Sequence, residues 1–437
     1  QPRASLNIDV SVIHKRRFRS FALPAGALLW LMLCPAPGVA QRELSGSAAT
    51  ELAIQRLQVT GSVLMIAAHP DDENTALLAW LARGRKVRTG YLSLTRGEGG
   101  QNLIGVEQGD AMGMIRTQEL LAARRIDGAE QFFTRAIDFG FTKTPQEAFE
   151  KWGRDKILSD VVWVIRKFRP DVIVLRFTGT QRDGHGAHQA SAILGKEAFS
   201  VAADPKRFPE QLKWVQPWQA KRLMWDAFAF TDEQRKEMAK IQDKLEVDTG
   251  TYDPLLGYSY REIAGMSRSM HRSQGMGSPE RPGTSKEFLT LVTGEPAHKD
   301  LFDGVDLTWN RVEGGAPVGE LVAKALDQYR PEHPEDAIAP LLQARRRFVE
   351  LHDPIADRKL KDLDNAIGLC AGLTAPVLTG GFCSLVPLVV PPAGLLRANA
   401  MDAASYNIAG LGGAGGVAAV AAALGAGAAV GAVAAIA

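Results

Sequence analysis

Cysteine is almost missing from this chain of 437 residues: only Cys34, Cys370 and Cys383 occur. Three thiols define no disulfide framework, and their spacing matches no thiolate metal site, so a cross-linked mini-scaffold and a zinc finger are both excluded. At most, Cys370 and Cys383 are expected to pair in an oxidising compartment. Net charge is equally scarce, since 51 Lys and Arg against 49 Asp and Glu leave +2. Five of those bases (Arg3, Lys15, Arg16, Arg17, Arg19) crowd into the first forty positions against one acid, Asp9. Without that stretch the balance turns slightly acidic, which removes any basic field for nucleic acid. A glycine-rich phosphate turn is also absent. His69-Pro70-Asp71 stands where a dinucleotide-binding module would carry Gly-x-Gly-x-x-Gly, and acids at a helix N-terminus repel phosphate. No repeat of about 20 to 50 residues is present, which sets solenoids aside.

What is present is a globular composition, 46% hydrophobic, enough to bury a large core. The N-terminus has the layout of an export signal: Lys15, Arg16, Arg17 and Arg19, an apolar run from Phe21 to Leu33, then Gly38-Val39-Ala40 as a cleavage site. The run is shorter than the roughly 20 residues a bilayer span needs. The mature protein is expected to start near Gln41 and to be secreted or periplasmic. The expected organisation is a signal with upstream residues over 1–40, a catalytic domain over 41–310, a helical extension over 311–370 and an Ala/Gly-rich tail over 371–437. From Ile408 to Ala437 the tail is nearly all Ala, Gly and Val. A low-complexity tail, a weak membrane helix with small-xxx-small faces and a disrupted reading frame all fit. Ala and Gly drive insertion weakly, which favours the first, and membrane association is expected only through this tail.

Residues 61–200 alternate strand-like with helix-like stretches, the pattern of a mostly parallel α/β sheet with helices on both faces. Val63–Ala68, Lys86–Thr95, Asp171–Phe177 and Lys221–Phe230 read as strands. Glu73–Arg83, Met114–Ile126, Asp155–Phe168 and His188–Val201 read as helices, as do Thr231–Leu245 and Arg345–Leu363. Between Asp248 and Gly283 the Gly, Ser and Tyr content predicts loops and short elements.

The chemistry concentrates in Ala68-His69-Pro70-Asp71-Asp72-Glu73, directly after the first buried strand. In an open parallel sheet, ligands bind at the carboxyl ends of strands. His69 and Asp72 are ordinary zinc ligands, and a tight turn brings positions three apart onto one ion. Asp71 is then the leftover carboxylate, suited as general base to a metal-activated water. Helix capping is the common alternative for either aspartate. The second cluster, Asp183-Gly184-His185-Gly186-Ala187-His188, decides between them, because it follows another strand to the same rim. One of its histidines completes three protein ligands with an open position. His188, at the start of a helix, is the expected third ligand. His185, on the loop before it, is free to stabilise an oxyanion or protonate a leaving amine. Glu73 reads as a first-turn carboxylate or as support for a ligand, and His271 as a solvated loop histidine.

The set as a whole resembles the PIG-L, or LmbE-like, family of zinc-dependent deacetylases. The matching pieces are the strand with His69–Glu73, the loop Thr95-Arg96-Gly97-Glu98-Gly99-Gly100, Arg116 with Glu119 on the next helix, and His185 to His188. The resemblance covers roughly residues 60–310, with looser similarity to about Leu363. It implies a Rossmann-like fold, Zn2+, and hydrolysis of the N-acetyl group of a glucosamine-type sugar or glycoconjugate. It further implies His69, Asp72 and His188 as metal ligands, Asp71 as base, His185 as electrostatic helper, and Arg116 and Asp138 as holders of sugar hydroxyls. Arg182 and Asp183 stand where some members place an aromatic hydroxyl, and His271, in His271-Arg272-Ser273-Gln274, resembles a late family element near the pocket. The competing readings are an amidase acting on another amide-linked sugar conjugate and a glycan-binding relative without catalysis.

Overall fold

The computed structural model describes residues 46–389 apart from positions 230 and 278–280, with side chains described to position 372. The export signal expected over 1–40 and the tail beyond 389 lie outside the described residues.

Seven strands form the main sheet: β1 Ser62–Ala67, β2 Arg88–Ser93, β3 Glu130–Phe133, β4 Val172–Leu175, β5 Arg222–Ala227, β6 Lys244–Asp248 and β9 Lys286–Gly294. A two-residue ladder, β7 Tyr252–Asp253 with β8 Tyr258–Ser259, stands apart. The sheet order is β3-β2-β1-β4-β5-β9-β6. The first five strands are parallel, with Val63 opposite Thr89 on one side and Val172 on the other. β9 and β6 close the sheet antiparallel. Every residue of β1 and β4 is buried, so helices cover both faces there, which is why these strands read as unbroken apolar runs.

The sequence placed most elements within a few residues. Thr231–Leu245 was expected to be one helix. Instead, the chain is helical over Asp232–Lys240 and then enters β6, because Lys244–Asp248 pairs with Lys286–Thr290 of β9. Arg345–Leu363 is likewise two helices, Ile338–Leu351 and Pro354–Val389. Pro354 has no amide hydrogen to continue the first helix and excludes the helical conformation at the residue before it, so the chain turns through His352 at φ +48°. Cys370 is a buried free thiol on the second of these helices. Cys383 lies beyond the residues whose side chains are described, so the expected pairing falls outside them. Among the described residues no helix is long and apolar enough to cross a membrane.

Among the described residues three cores form. The largest joins the sheet to its covering helices, a second gathers Trp309, Val322, Leu341 and Phe348 with Ile54 and Leu57, and a third packs Leu52 and Ala79 against Leu256, Tyr260, Ile263 and Met266. The first described helix, Gly46–Leu57, therefore packs with the 311–370 helices although it precedes β1 by sequence. Trp309 Nε1 donates to Leu57 O at 2.8 Å. Arg311 clasps Asp171, just before β4, at 2.6 and 3.0 Å. This anchors the helical core to the amino ends of the strands, leaving their carboxyl ends open.

Candidate metal centre and active site

Order reverses between β1 and β4, the switch point at which a doubly wound sheet opens a crevice. The loop after β1 carries His69, Asp71 and Asp72, and the chain after β4 brings His185, at the end of its loop, and His188, in the first turn of the helix Gly186–Val201. His69, Asp72 and His188 each offer one ligand atom, and these atoms all lie within 4.8 Å of one another. Asp72 Oδ2 is held by the amides of Ala68 (3.2 Å) and His69 (2.7 Å) and faces His69 Nδ1 (3.2 Å). Its Oδ1 is left facing His188 Nε2 at 3.3 Å. His188 Nδ1 lies 3.2 Å from Asp183 O. A carbonyl only accepts, so the proton sits on Nδ1 and Nε2 turns its lone pair to the centre. The ring is stacked on Phe177, centroids 3.9 Å apart and 7° from parallel. Two imidazoles and one carboxylate, with Asp72 and His188 already oriented from behind, make a donor set that could hold a divalent metal ion.

Helix Gly186–Val201 begins two residues earlier than the sequence suggested, and His185 is its N-cap. Its Nδ1 accepts from the Ala187 amide at 3.0 Å. Burial and the neighbouring imidazoles of His69 and His188 push His185 down to about 4, so near neutral pH it is uncharged, with its hydrogen on Nε2.

Asp71 adopts φ +94°, a region disfavoured for a residue with a side chain and costing on the order of 1–3 kcal/mol. Its amide donates to Glu73 Oε2 at 2.9 Å, its carbonyl accepts from Arg268 Nη1 at 2.9 Å, and its Oδ2 pairs with Arg116 Nη2 at 3.1 Å. Burial pushes the Asp71 carboxyl up to about 6, against the pull of Arg116. Burial would also raise Asp72 and Glu73. For Asp72 the nearby His188 and His69 reverse this, and for Glu73 His271 and Arg124 do, holding both well below the usual carboxylate range.

Arg116 is buried, donating to Pro70 O and to Gly97 O as well as pairing with Asp71, so its guanidinium is largely committed to the loop. Asp138 is buried, with Oδ1 3.9 Å from His69 Nε2. Both line the same cavity of about 240 Å³ as the metal-ligand candidates, His185 and Phe141. The glycine loop lets them approach: a Cβ on Gly97 would lie 2.3 Å from Arg116 Nη1, and one on Gly99 2.1 Å from Gly140 N. Glu98 Oε2 receives the amides of Asp138 at 3.0 Å and Arg96 at 3.2 Å, while the Arg96 guanidinium lies over Phe133. Asp183 is buried and receives the amides of Thr178, Gly179 and Thr180.

His271 is not the solvated loop histidine that its surroundings in the sequence suggest. It is fully buried, with Nε2 2.9 Å from Glu73 Oε1. Arg124, Asp127 and Ser267, none of which the sequence singled out, continue the network. Arg124 Nη2 lies 3.0 Å from Glu73 and 2.6 Å from Asp127, and Ser267 Oγ donates to Asp127 at 2.7 Å. Their one sequence signal was Ser259-x-x-Glu262, a capping box that starts the helix Tyr260–Arg268 bearing Ser267.

Fold and site together define an α/β protein with a two-histidine, one-carboxylate centre at the switch point of its sheet. Residues 64–199 match the PIG-L family, described as GlcNAc-PI de-N-acetylase. The chain is 29% identical over 180 residues to 1D-myo-inositol 2-acetamido-2-deoxy-alpha-D-glucopyranoside deacetylase 2 of Saccharopolyspora erythraea, covering 37% of this chain and 64% of that protein. It is 31% identical over 163 residues to the mycothiol S-conjugate amidase of Streptomyces coelicolor, covering 34% and 55%. The chain thus spans less than two thirds of the length of these curated relatives. Among solved structures it is similar to the N,N'-diacetylchitobiose deacetylase of Pyrococcus horikoshii, with 18% identity, a TM-score of 0.37, and coverage of 49% of this chain and 70% of that one.

Proposed function

We propose that this protein is a zinc-dependent hydrolase that removes the N-acetyl group from a GlcNAc-type sugar or glycoconjugate, with Asp71 as general base. The observation that carries the proposal is the juxtaposition of three ligand atoms within 4.8 Å with a fourth, unligated carboxylate on the adjacent residue. His69, Asp72 and His188 would hold the ion, and two imidazoles with one carboxylate match a catalytic zinc site that keeps a position open. A bound zinc ion supplies a water acidified to a pKa of about 7 and polarises the acetamide carbonyl.

Asp71 accepts the proton of the attacking water. With its carboxyl at about 6 it is mostly ionised at pH 7, yet basic enough to take that proton and pass it to the departing amine. His185 donates its Nε2 hydrogen to the acetamide oxygen as negative charge gathers there. Arg116 keeps the Asp71 carboxylate aimed, and Asp138 lines the pocket beside it as a candidate partner for a sugar hydroxyl. The products are acetate and a free amine. Secretion through the N-terminal segment belongs to the same proposal, so the substrate is one met outside the cytosol.

Similarity to the S-conjugate amidase supports a second reading, in which the same centre cleaves a larger acyl group from a sugar amine. Acetate release from N-acetylglucosamine, N,N'-diacetylchitobiose and N-acetylglucosaminyl inositol tests the first, before and after chelation and with zinc restored. Turnover that survives exhaustive chelation overturns the zinc mechanism. Amine release without acetate from longer N-acyl sugars selects the second reading.

A further inference from the structure

We infer that the segment from Ser267 to Ser273, well outside the family match at 64–199, sets the conformation of Asp71, and that Arg268 and His271 are positioning residues for its proton transfer. The inference rests on the reading of Asp71 as the base. A residue with a side chain does not rest at φ +94° unless its backbone is held. Asp71 has two backbone handles, and both lead to this segment. Its carbonyl receives Arg268 Nη1 directly, at 2.9 Å. Its amide is received by Glu73 Oε2, at 2.9 Å, and the other oxygen of that carboxylate is fixed by His271 Nε2 at 2.9 Å together with Arg124 Nη2 at 3.0 Å. Glu73 and His271 are fully buried, so neither finds water as a substitute partner.

The segment is itself clamped. Ser267 Oγ donates to Asp127 at 2.7 Å, and the Ser273 amide and hydroxyl donate to Glu119 at 2.6 and 2.7 Å. Both acids lie on the helix Asp110–Asp127, which also carries Arg116, the third handle, on the Asp71 carboxylate. The metal-ligand candidates are secured independently. Asp72 is tied by the amides of Ala68 and His69, His188 by Asp183 O, and the His69 carbonyl receives the Tyr91 hydroxyl at 2.5 Å. Loosening Arg268 or His271 therefore lets Asp71 relax toward negative φ and swing its carboxylate away, while the three ligands stay in place. A misplacement of about 1 Å at a reacting group costs up to about a hundredfold in rate.

The test compares Arg268→Met with Arg268→Lys, and His271→Leu with His271→Gln, by acetate release from N,N'-diacetylchitobiose, zinc content and thermal unfolding. Arg268→Met is expected to lower kcat about ten- to hundredfold with KM within about twofold, zinc content unchanged and melting temperature close to wild type. Arg268→Lys and His271→Gln keep a donor and should recover much of the loss. If His271→Leu does not fold, the half-buried Arg268 pair decides alone. Wild-type kcat in Arg268→Met overturns the inference, and so does a loss of rate that merely follows loss of zinc. A wild-type protein that binds zinc but releases neither acetate from the three sugars nor amine from the longer N-acyl sugars removes the role of Asp71 and this inference with it. That outcome is distinct from an active wild type with unaffected variants.

Discussion

The Nδ1 atom of His185 accepts a hydrogen bond from the Ala187 amide at 3.0 Å, so one imidazole both caps a helix and fixes its own tautomer toward the pocket. The two roles separate by substitution. His185→Asn retains a good N-cap, whereas His185→Ala gives it up at a cost of about 1 kcal/mol. Neither can replace the Nε2 donor. Both are expected to lose roughly a hundredfold or more in kcat for acetate release, and only the alanine variant should melt measurably lower. Near-wild-type turnover in His185→Asn would remove the imidazole from the mechanism.

Asp71→Asn separates chemistry from architecture. Asparagine tolerates positive φ about as well as aspartate, and its backbone keeps both handles, to Glu73 and Arg268. The variant should fold and bind one zinc per chain. Losing the base should lower kcat about a hundredfold to ten-thousandfold. Elemental analysis beside an activity assay reads both, and a fully active Asp71→Asn protein rules out the base assignment.

Much of this arrangement is readable from residues in order. His69, Asp72 and His188 stand after strands that are unbroken apolar runs, and the carboxyl ends of such strands share a rim. The support behind the site is less readable, because burial and not composition makes His271 a partner of Glu73, almost two hundred positions away. A lone histidine among Gly and Ser residues carries no mark of the helix packing that seals it. The strands β9 and β6 were hidden for a related reason. Lys244–Asp248 is short and charged, and it becomes a strand only when the Lys286–Gly294 partner is beside it.

Metal binding should appear as stability as well as activity. A ligand that binds only the folded chain adds about 2.7 kcal/mol at a hundredfold excess over its Kd. Metal-stripped protein is expected to melt higher on titration with zinc. Asp72→Ala, which removes one donor and the anchor shared with the Ala68 and His69 amides, should abolish that shift. An unchanged melting temperature of the wild type across the titration would count against a metal at this centre.

Far from the site, Lys359 offers a pH-dependent test of the helical core. Its side chain is buried between helices, donating to Arg56 O at 2.5 Å with Asp362 at 3.8 Å, and burial pushes its pKa down to about 7. Unfolded lysine titrates near 10.4, so between about pH 7 and 10.4 the unfolded chain holds a proton that the folded chain has released. Stability from this group is thus fully present above about pH 10.4 and is lost as pH falls through 7, at no more than about 1.4 kcal/mol per unit. Lys359→Met has no charge to desolvate in either state. It should melt above wild type at pH 6, where the buried ammonium costs most, and the difference should shrink steadily toward pH 10. Thermal unfolding of the pair across that range is the measurement, and a gap independent of pH would mean that Lys359 keeps an ordinary pKa.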